Sequence, residues 1–301
     1  MTTNYEDIKF FSEDILLRGR FYLGKGSKLL PSIIMSHGTS ATITMGINKY
    51  AEKFQEKGFN VLLYDHEGIG LSEGKPQLMN PWIQGRGYNS ALNYLKNKNY
   101  LHNNKFIFWG ESFSGMLVLV VGACIKDVSG IISVTPSCGA EQIKFKNKPE
   151  DFNTLKDIFF KGKIDDYVND VIGPIAVVSN DQERKPSLLV PKEAYNWFMT
   201  FGNTKNSKWK NIITRVVPRT EVPFTPQLTA SFIKPPTLII TGKEDEIIQA
   251  NLKIQKEVYK NIPSEKKMFE ISGGHFGCLY PNSISFQENI DYQLSFLNKF
   301  I

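Results

Sequence analysis

Cysteine is scarce in this chain, with three residues among 301. Cys124, Cys138 and Cys278 lie far apart and show none of the spacings of a zinc site. We therefore expect three reduced and mostly buried thiols, which is typical of a cytosolic protein. A catalytic role for Cys278, which is close to His275 in the sequence, is not favoured because no strand-to-helix turn presents it.

Long apolar runs are also missing. The longest, Met116 to Ile125, is too short to span a membrane and fits a buried helix instead. The first residues, Met1 to Asp7, contain neither a basic segment nor an apolar core, so no secretory signal is predicted. The sequence thus predicts a cytoplasmic protein without a membrane partner.

Neither sign of charge dominates, since 36 basic and 30 acidic residues give a net charge of +6. The lysines are scattered, and no basic stripe is interleaved with aromatic residues, so nucleic-acid binding is not predicted. The sequence also lacks a glycine-rich loop of the kind that binds phosphate. We therefore expect no cofactor and no metal. The length suits one large α/β domain or a core with an insertion.

The most informative motif is FIFWGESFSG at residues 106–115. A β-prone segment ends at Gly110, Ser112 follows after one residue, and an apolar run then predicts a buried helix. This is the layout of a nucleophile elbow, a tight turn that presents a serine hydroxyl above the sheet. The pattern departs from G-x-S-x-G because Ser114 occupies the second small position. The alternative is an ordinary Gly/Ser turn between a strand and a helix.

A nucleophilic serine needs a general base, and only one of the four histidines, His275, follows Ser112. In folds that carry such an elbow, the acid precedes the histidine and follows the serine in the chain. His275 lies in a glycine-flanked segment after a predicted strand. Asp245, on the loop after the preceding predicted strand, is our choice of acid, with Glu244 and Glu246 as competitors.

Another predicted strand ends in His37-Gly38. Acyl transfer needs backbone N–H donors that face the developing oxyanion. In this architecture one donor belongs to the residue after the nucleophile and the other to the loop after the third strand. The candidates are therefore Phe113 and Thr39, and His37 is expected to shape this loop.

These motifs together resemble the α/β-hydrolases, specifically the bacterial dienelactone-hydrolase-like and serine-aminopeptidase-like members. The matching pieces are His37-Gly38, DHEGIGLSEG at residues 65–74, the elbow at Ser112, Asp245 and His275. The second of these resembles the loop after the fourth strand, although many relatives carry arginine where this chain has Glu67. The resemblance covers nearly the whole chain, and it implies the fold and the triad more specifically than the substrate.

The predicted fold is an α/β-hydrolase fold with a mostly parallel central sheet, helices on both faces and an inserted helical cap. Predicted strands alternate with amphipathic helices through residues 1–139 and 235–301, which form the core. About a hundred residues separate two consecutive core strands, far more than a crossover needs. The resemblance places a cap over the active site here. We therefore predict that residues 140–234 form a mainly helical lid.

The predicted lid is rich in aromatic residues. Trp197, Phe198 and Met199 are consecutive, so on one helix they cannot all face the core of the lid. One or two of them should face the site or a partner, and we name Trp197 and Phe198 as candidate substrate-pocket residues. The alternative is that these aromatic residues form the lid's own small core.

The sequence predicts a serine hydrolase that cleaves a carboxylic ester or thioester through an acyl-enzyme on Ser112. His275 would act as the base and Asp245 as the orienting acid. The expected partner is a small-molecule acyl substrate, which is an ester, thioester or amide. A homodimer is left open.

Three alternatives stand beside this function. An acyltransferase would use the same triad with an acceptor better than water. A non-catalytic binding protein with this fold is less favoured because the triad is intact. An aminopeptidase would need cap carboxylates for the substrate ammonium, and the candidates are Glu183, Glu193 and Glu221.

Overall fold

The computed structural model describes residues 5–25, 30–98, 105–143, 148–162 and 169–300. The strands are β1 (Glu6–Ser12), β2 (Ile15–Tyr22), β3 (Ser32–Ser36), β4 (Asn60–Tyr64), β5 (Leu78–Met79), β6 (Phe106–Glu111), β7 (Val128–Val134), β8 (Asn169–Val178), β9 (Ser187–Leu189), β10 (Ile213–Pro218), β11 (Thr237–Gly242) and β12 (Lys266–Ile271). The helices are α1 (Asn48–Glu56), α2 (Pro81–Lys96), α3 (Ser112–Cys124), α4 (Pro149–Lys161), α5 (Lys192–Gly202), α6 (Pro226–Thr229), α7 (Leu252–Asn261) and α8 (Ile284–Leu297).

The central sheet has eight strands in the order β1-β2-β4-β3-β6-β7-β11-β12. The six strands from β4 to β12 in this order are parallel, whereas β1 and β2 form an antiparallel hairpin that joins β4. Every residue of β3, β6 and β11 is buried, as expected for strands covered on both faces. The predicted mostly parallel α/β core is confirmed.

The helices around the central sheet pack in two groups. Helix α1 contacts α8, whereas α2 packs on α3 and α3 packs on α6. Helix α3 is apolar on all sides and buried at every position except Ala123, so the run that begins at Met116 forms a central helix. Helix α2 begins where the Asn80 side chain accepts the Trp82 N–H, with Pro81 in the first turn.

The segment at residues 140–234, which the sequence predicts to be mainly helical, also contributes strands to a sheet. This segment contains α4, α5 and α6, but it also contains β8, β9 and β10. With β5 they form a second sheet, in the order β5-β10-β8-β9. In β8, Pro174 interrupts a run rich in β-branched residues, and a proline inside such a run argues against a strand. The aromatic residues of this segment belong mostly to α4 and α5.

All three cysteines are free and buried, as predicted. Burial raises the pKa of each thiol, so little thiolate is present near neutral pH. Across the described ranges, no helix combines the length and the apolar character needed to cross a membrane.

Candidate active site

The elbow forms where β6 ends at Glu111 and α3 begins at Ser112. Ser112 has a φ of 55°, a left-handed conformation that residues other than glycine rarely adopt. Such strain persists only where the surrounding structure enforces it, and it is concentrated at functional sites. A Cβ atom at Gly110 would collide with the carbonyl oxygen of Ser114, which explains the glycine before the turn.

Ser114, the second serine of the motif, is fully buried and makes structural hydrogen bonds. Its hydroxyl donates to the carbonyl oxygen of His37 at 2.5 Å and lies 2.7 Å from His66 Nε2. Because the single hydroxyl proton is used at His37, His66 Nε2 carries the proton of the second bond. Ser114 therefore ties the elbow to the loop after β3, whereas Ser112 lines two cavities.

The structure brings His275 and Asp245 together. His275 follows β12, Asp245 follows β11, and the imidazole Nδ1 lies 2.9 Å from Asp245 Oδ2 and 3.1 Å from Oδ1. Burial lowers the pKa of His275, but the charges of Asp245, Glu111 and Glu246 outweigh it, so the pKa is raised. With the Nδ1 proton donated to the carboxylate, Nε2 is the nitrogen free to accept a proton.

The two acidic neighbours of Asp245 have different positions. Glu246 Oε2 accepts the backbone N–H of His275 at 2.8 Å, so this side chain holds the loop that carries the imidazole. Glu244 is exposed, and its backbone N–H donates to the carbonyl oxygen of Gly273. Of the three acids, Asp245 is the one bonded to the imidazole. The supporting contact of Glu246 was not predicted, because no local pattern distinguishes it from a solvated charge.

Glu111, between Gly110 and Ser112, is a second unpredicted site residue. It is buried, and its Oε1 atom accepts the Gly38 N–H at 2.5 Å. Burial raises the pKa of Glu111, while the charge of His275 and the Gly38 hydrogen bond oppose this rise. Since the Gly38 N–H is occupied, Thr39 is the next residue in the loop after β3 that can offer an N–H to a substrate.

Both predicted oxyanion residues lie beside the candidate nucleophile. Thr39, Phe113 and Ser112 line the same cavity. Phe113 occupies the second position of α3, where a backbone N–H has no acceptor within the helix. Two backbone N–H donors beside Ser112 are the groups that stabilisation of an oxyanion would require.

The loop at residues 65–74 supports the loop after β3. The buried Asp65 carboxylate accepts the backbone N–H groups of Ile43 and Leu71, and burial raises its pKa to about 6. His37 Nε2 accepts the His66 N–H, and burial lowers the pKa of His37 to about 4. The His37 side chain is therefore neutral near pH 7, although its Nε2 atom lies 3.7 Å from Asp65 Oδ1. Its role is to support the loop after β3.

Trp197 and Phe198 lie close to Ser112 and His275. They line a cavity of about 20 Å³ together with Ser112 and His275. Both are almost fully buried and pack against Phe276, the residue after His275. Both residues therefore belong to the packed core and also border the small cavity beside Ser112.

Most of the space lies in a second cavity of about 730 Å³ that Ser112 also lines. Neither Trp197 nor Phe198 is among its lining residues. Its apolar wall includes Met79, Trp82, Met116, Leu188, Leu189 and Phe224. This wall was not predicted, since half of it comes from the core around β5, α2 and α3.

Comparison with known proteins shows which families and proteins the chain is similar to. A model of the serine aminopeptidase family S33 matches residues 29–160. The quorum-quenching protein AidA of Acinetobacter baumannii is 23% identical over 98% of this chain and 95% of its own length. The polyketide transferase af380 of Aspergillus fumigatus is 27% identical over 98% of both chains. The thiohydrolase aneE of Aspergillus aculeatus is 37% identical over 44% of this chain and 42% of its own.

Among solved structures, the α/β hydrolase GrgF from a Penicillium species matches with a TM-score of 0.71 over 98% of both chains, at 22% identity. The chain therefore has the α/β-hydrolase fold. In this fold, Thr39, Ser112, Asp245 and His275 follow the carboxyl ends of β3, β6, β11 and β12. Because these strands are parallel, the four residues lie at one edge of the sheet, where open α/β sheets bind ligands.

The packing of Trp197 leads to a stability prediction. We expect Trp197→Ala to lower the free energy of unfolding by about 3–5 kcal/mol, because it leaves a large cavity beside Phe276. Urea unfolding followed by circular dichroism measures this change. Phe160→Ala, at a side chain that is 47% exposed, is the control and should cost much less. Equal losses for the two variants would contradict the packing described for Trp197.

Proposed function

We propose that this protein is a serine hydrolase that cleaves a carboxylic ester or thioester through an acyl-enzyme on Ser112. The observation that carries the proposal is the left-handed backbone of Ser112 at the end of β6. Its side chain shares a cavity with an imidazole that is bonded to the Asp245 carboxylate. A nucleophile, a base and a group that orients the base are the parts that acyl transfer requires.

In the first half of the proposed reaction, the Ser112 oxygen attacks the acyl carbon while His275 Nε2 accepts the hydroxyl proton. The N–H groups of Thr39 and Phe113 stabilise the oxyanion of the tetrahedral intermediate. The bond to the leaving alcohol or thiol then breaks, and the imidazolium gives the proton to that group. Asp245 holds the Nδ1 proton throughout and stabilises the imidazolium.

In the second half, water attacks the acyl-enzyme. His275 accepts a proton from the water as its oxygen bonds to the acyl carbon. The bond between the acyl carbon and Ser112 breaks, the serine recovers its proton from the imidazolium, and a carboxylic acid leaves. An acyltransferase differs only in this half, where an alcohol or amine replaces the water.

The relatives support the choice of substrate class. One is named a thiohydrolase and another a polyketide transferase, and both names describe the handling of acyl groups. The cavity beside Ser112 is large enough for a medium-sized acyl group, at about 730 Å³. The acyltransferase is therefore the second candidate function.

An aminopeptidase is less well supported. Of the three carboxylates considered for binding an ammonium group, Glu193 lines a neighbouring surface cleft, and Glu183 and Glu221 are exposed. None of the three lines the large cavity beside Ser112, whose lining includes the cation Arg215.

Mass spectrometry of a quenched reaction tests the proposal. The chain would be mixed with p-nitrophenyl esters and with N-acetylcysteamine thioesters of the same acyl groups, and then digested. We expect a transient acyl adduct on the peptide that contains Ser112, at a rate that accounts for product formation. Product without an adduct, or an adduct on another residue, would overturn the mechanism. Added alcohols or amines distinguish an acyltransferase from a hydrolase. An acyltransferase would form an ester or an amide in place of the free acid.

Glu111 leads to a prediction about pH dependence. The ionised Glu111 carboxylate raises the pKa of His275, so Glu111→Gln should lower that pKa. A base must be neutral to accept a proton, so the acidic limb of the pH dependence of kcat/KM should move to lower pH. The amide oxygen of glutamine can still accept the Gly38 N–H, which preserves the loop. Glu244→Gln, at an exposed side chain, is the control, and a limb that does not move in Glu111→Gln would contradict the prediction.

A further inference from the structure

The large cavity beside Ser112 contains a charged group that the proposed reaction does not use. Its wall is mostly apolar, yet Arg215 of β10 is part of it. Among the described residues that line this cavity, Arg215 is the sole lysine or arginine. It lies within the second sheet, where it pairs with Met79 of β5 and with Ile172 of β8. Its backbone is therefore fixed by two neighbouring strands.

The guanidinium of Arg215 is half-buried, and in the described part of the chain no carboxylate forms an ion pair with it. Other arginines do have such partners; for example, Arg86 binds Glu13 and Arg219 binds Asp170. Two carboxylates also line the cavity. Glu246 already accepts the backbone N–H of His275, and Glu141 is exposed to solvent.

A cation that is partly removed from water without a partner destabilises the protein. Burial accordingly lowers the pKa of Arg215 below its ordinary value. A ligand oxyanion in the cavity would offset this cost, because a guanidinium offers parallel N–H donors that match a carboxylate or a phosphate. Arginine and the candidate nucleophile line one continuous cavity, so a single substrate can contact both.

We infer that Arg215 binds an anionic group of the acyl substrate, which would therefore be an ester or thioester that carries a carboxylate or a phosphate. The inference rests on the proposed function of Ser112. The anion has two sources that share this chemistry. It is either a carboxylate at the far end of the acyl chain or a phosphate in a phosphopantetheine leaving group.

Paired substrates distinguish the two sources. The acyl arm compares the N-acetylcysteamine thioester of adipic acid, which keeps a free carboxylate, with that of its neutral monomethyl ester. The leaving-group arm compares hexanoyl-phosphopantetheine with hexanoyl-pantetheine. In one of the two arms, we expect kcat/KM to be roughly 10- to 100-fold higher for the anionic substrate, the effect of a charge-assisted hydrogen-bonded contact.

Variants assign this preference to the arginine. Arg215→Gln should abolish the ratio between anionic and neutral substrates, and Arg215→Lys should keep part of it because the charge remains without the planar fork. Arg219→Gln removes the same charge at an exposed position directly after β10, and it should leave the ratio unchanged. A preference that survives Arg215→Gln, or the lack of a preference in both arms, would overturn the inference.

The outcome for the neutral substrates separates this inference from the proposed function. Turnover of neutral thioesters that depends on Ser112, without a preference for anions, would leave the hydrolase proposal intact and reject the role of Arg215. If no thioester reacts, titration calorimetry measures binding instead. It compares hexanoate with hexanamide and phosphopantetheine with pantetheine. Tighter binding of one anion to the parent, lost in Arg215→Gln, supports the inference, and equal binding in both pairs rejects it.

Discussion

Ser112→Ala should lower kcat/KM by a factor of about 10⁴ or more, because the base and the acid act only through the serine. The same variant should fail to react with a fluorophosphonate probe that labels the parent protein. Removal of one hydroxyl that lines a cavity should change the folded structure little, so loss of activity can be assigned to chemistry. Unchanged labelling of Ser112→Ala would reject Ser112 as the nucleophile.

Ser114→Ala is the matched control two residues away. It should keep the probe reactivity, because the Ser114 hydroxyl is fully buried between His37 and His66. It should instead reduce stability by about 1–3 kcal/mol, since the carbonyl oxygen of His37 and the ring of His66 lose their partner. Labelling that disappears only in Ser114→Ala would move the nucleophile to that position.

His275→Ala should cost about as much activity as the loss of the serine, because the residues of such a site act as a unit. Asp245→Asn should lower kcat on the order of 10³- to 10⁴-fold, since the amide no longer holds the imidazole in the required tautomer. Steady-state kinetics on the best ester or thioester measures both effects, with thermal unfolding as a check that the variants are folded.

The neighbouring acids provide the controls for Asp245. Glu244→Gln should have little effect because the side chain is exposed. Glu246→Gln should also cost little, since its amide oxygen can still accept the N–H of His275, whereas Glu246→Ala should cost more. If Glu244→Gln or Glu246→Gln proved as damaging as Asp245→Asn, the acid would have been assigned to the wrong residue.

The parts of the fold that depend on local pattern were predictable. The apolar run before Ser112 and the glycine at position 110 specify a buried strand and a tight turn, and the structure has both. The order of acid and histidine after Ser112 indicated His275 and the loop of residues 244–246. The structure places His275 Nδ1 2.9 Å from Oδ2 of Asp245, the acid preferred on that loop. These features follow from sequence neighbours or from chain order, which a single sequence records directly.

The parts that depend on distant packing were not predictable. Whether Glu246 contacts solvent or the backbone of His275 is decided by how two loops meet, and neither loop encodes this by itself. The same holds for Glu111, whose partner Gly38 lies 73 positions away in the sequence. The second sheet was missed because its strands are short or interrupted, and β5 contributes only two residues from outside the inserted segment.

That two-residue strand limits how this protein could be diversified by recombination. Leu78 and Met79 lie between β4 and α2, yet their sheet partners, Thr214 and Arg215, come from the inserted segment. Arg86 likewise donates to the carbonyl oxygens of Ile158 and Phe159. A chimera that exchanges residues 140–234 as a self-contained cassette would leave these groups without acceptors or pairing partners. A chimera that retains substrate selectivity should therefore also exchange the stretch around residues 77–86. The two segments that contact each other would then come from the same parent protein.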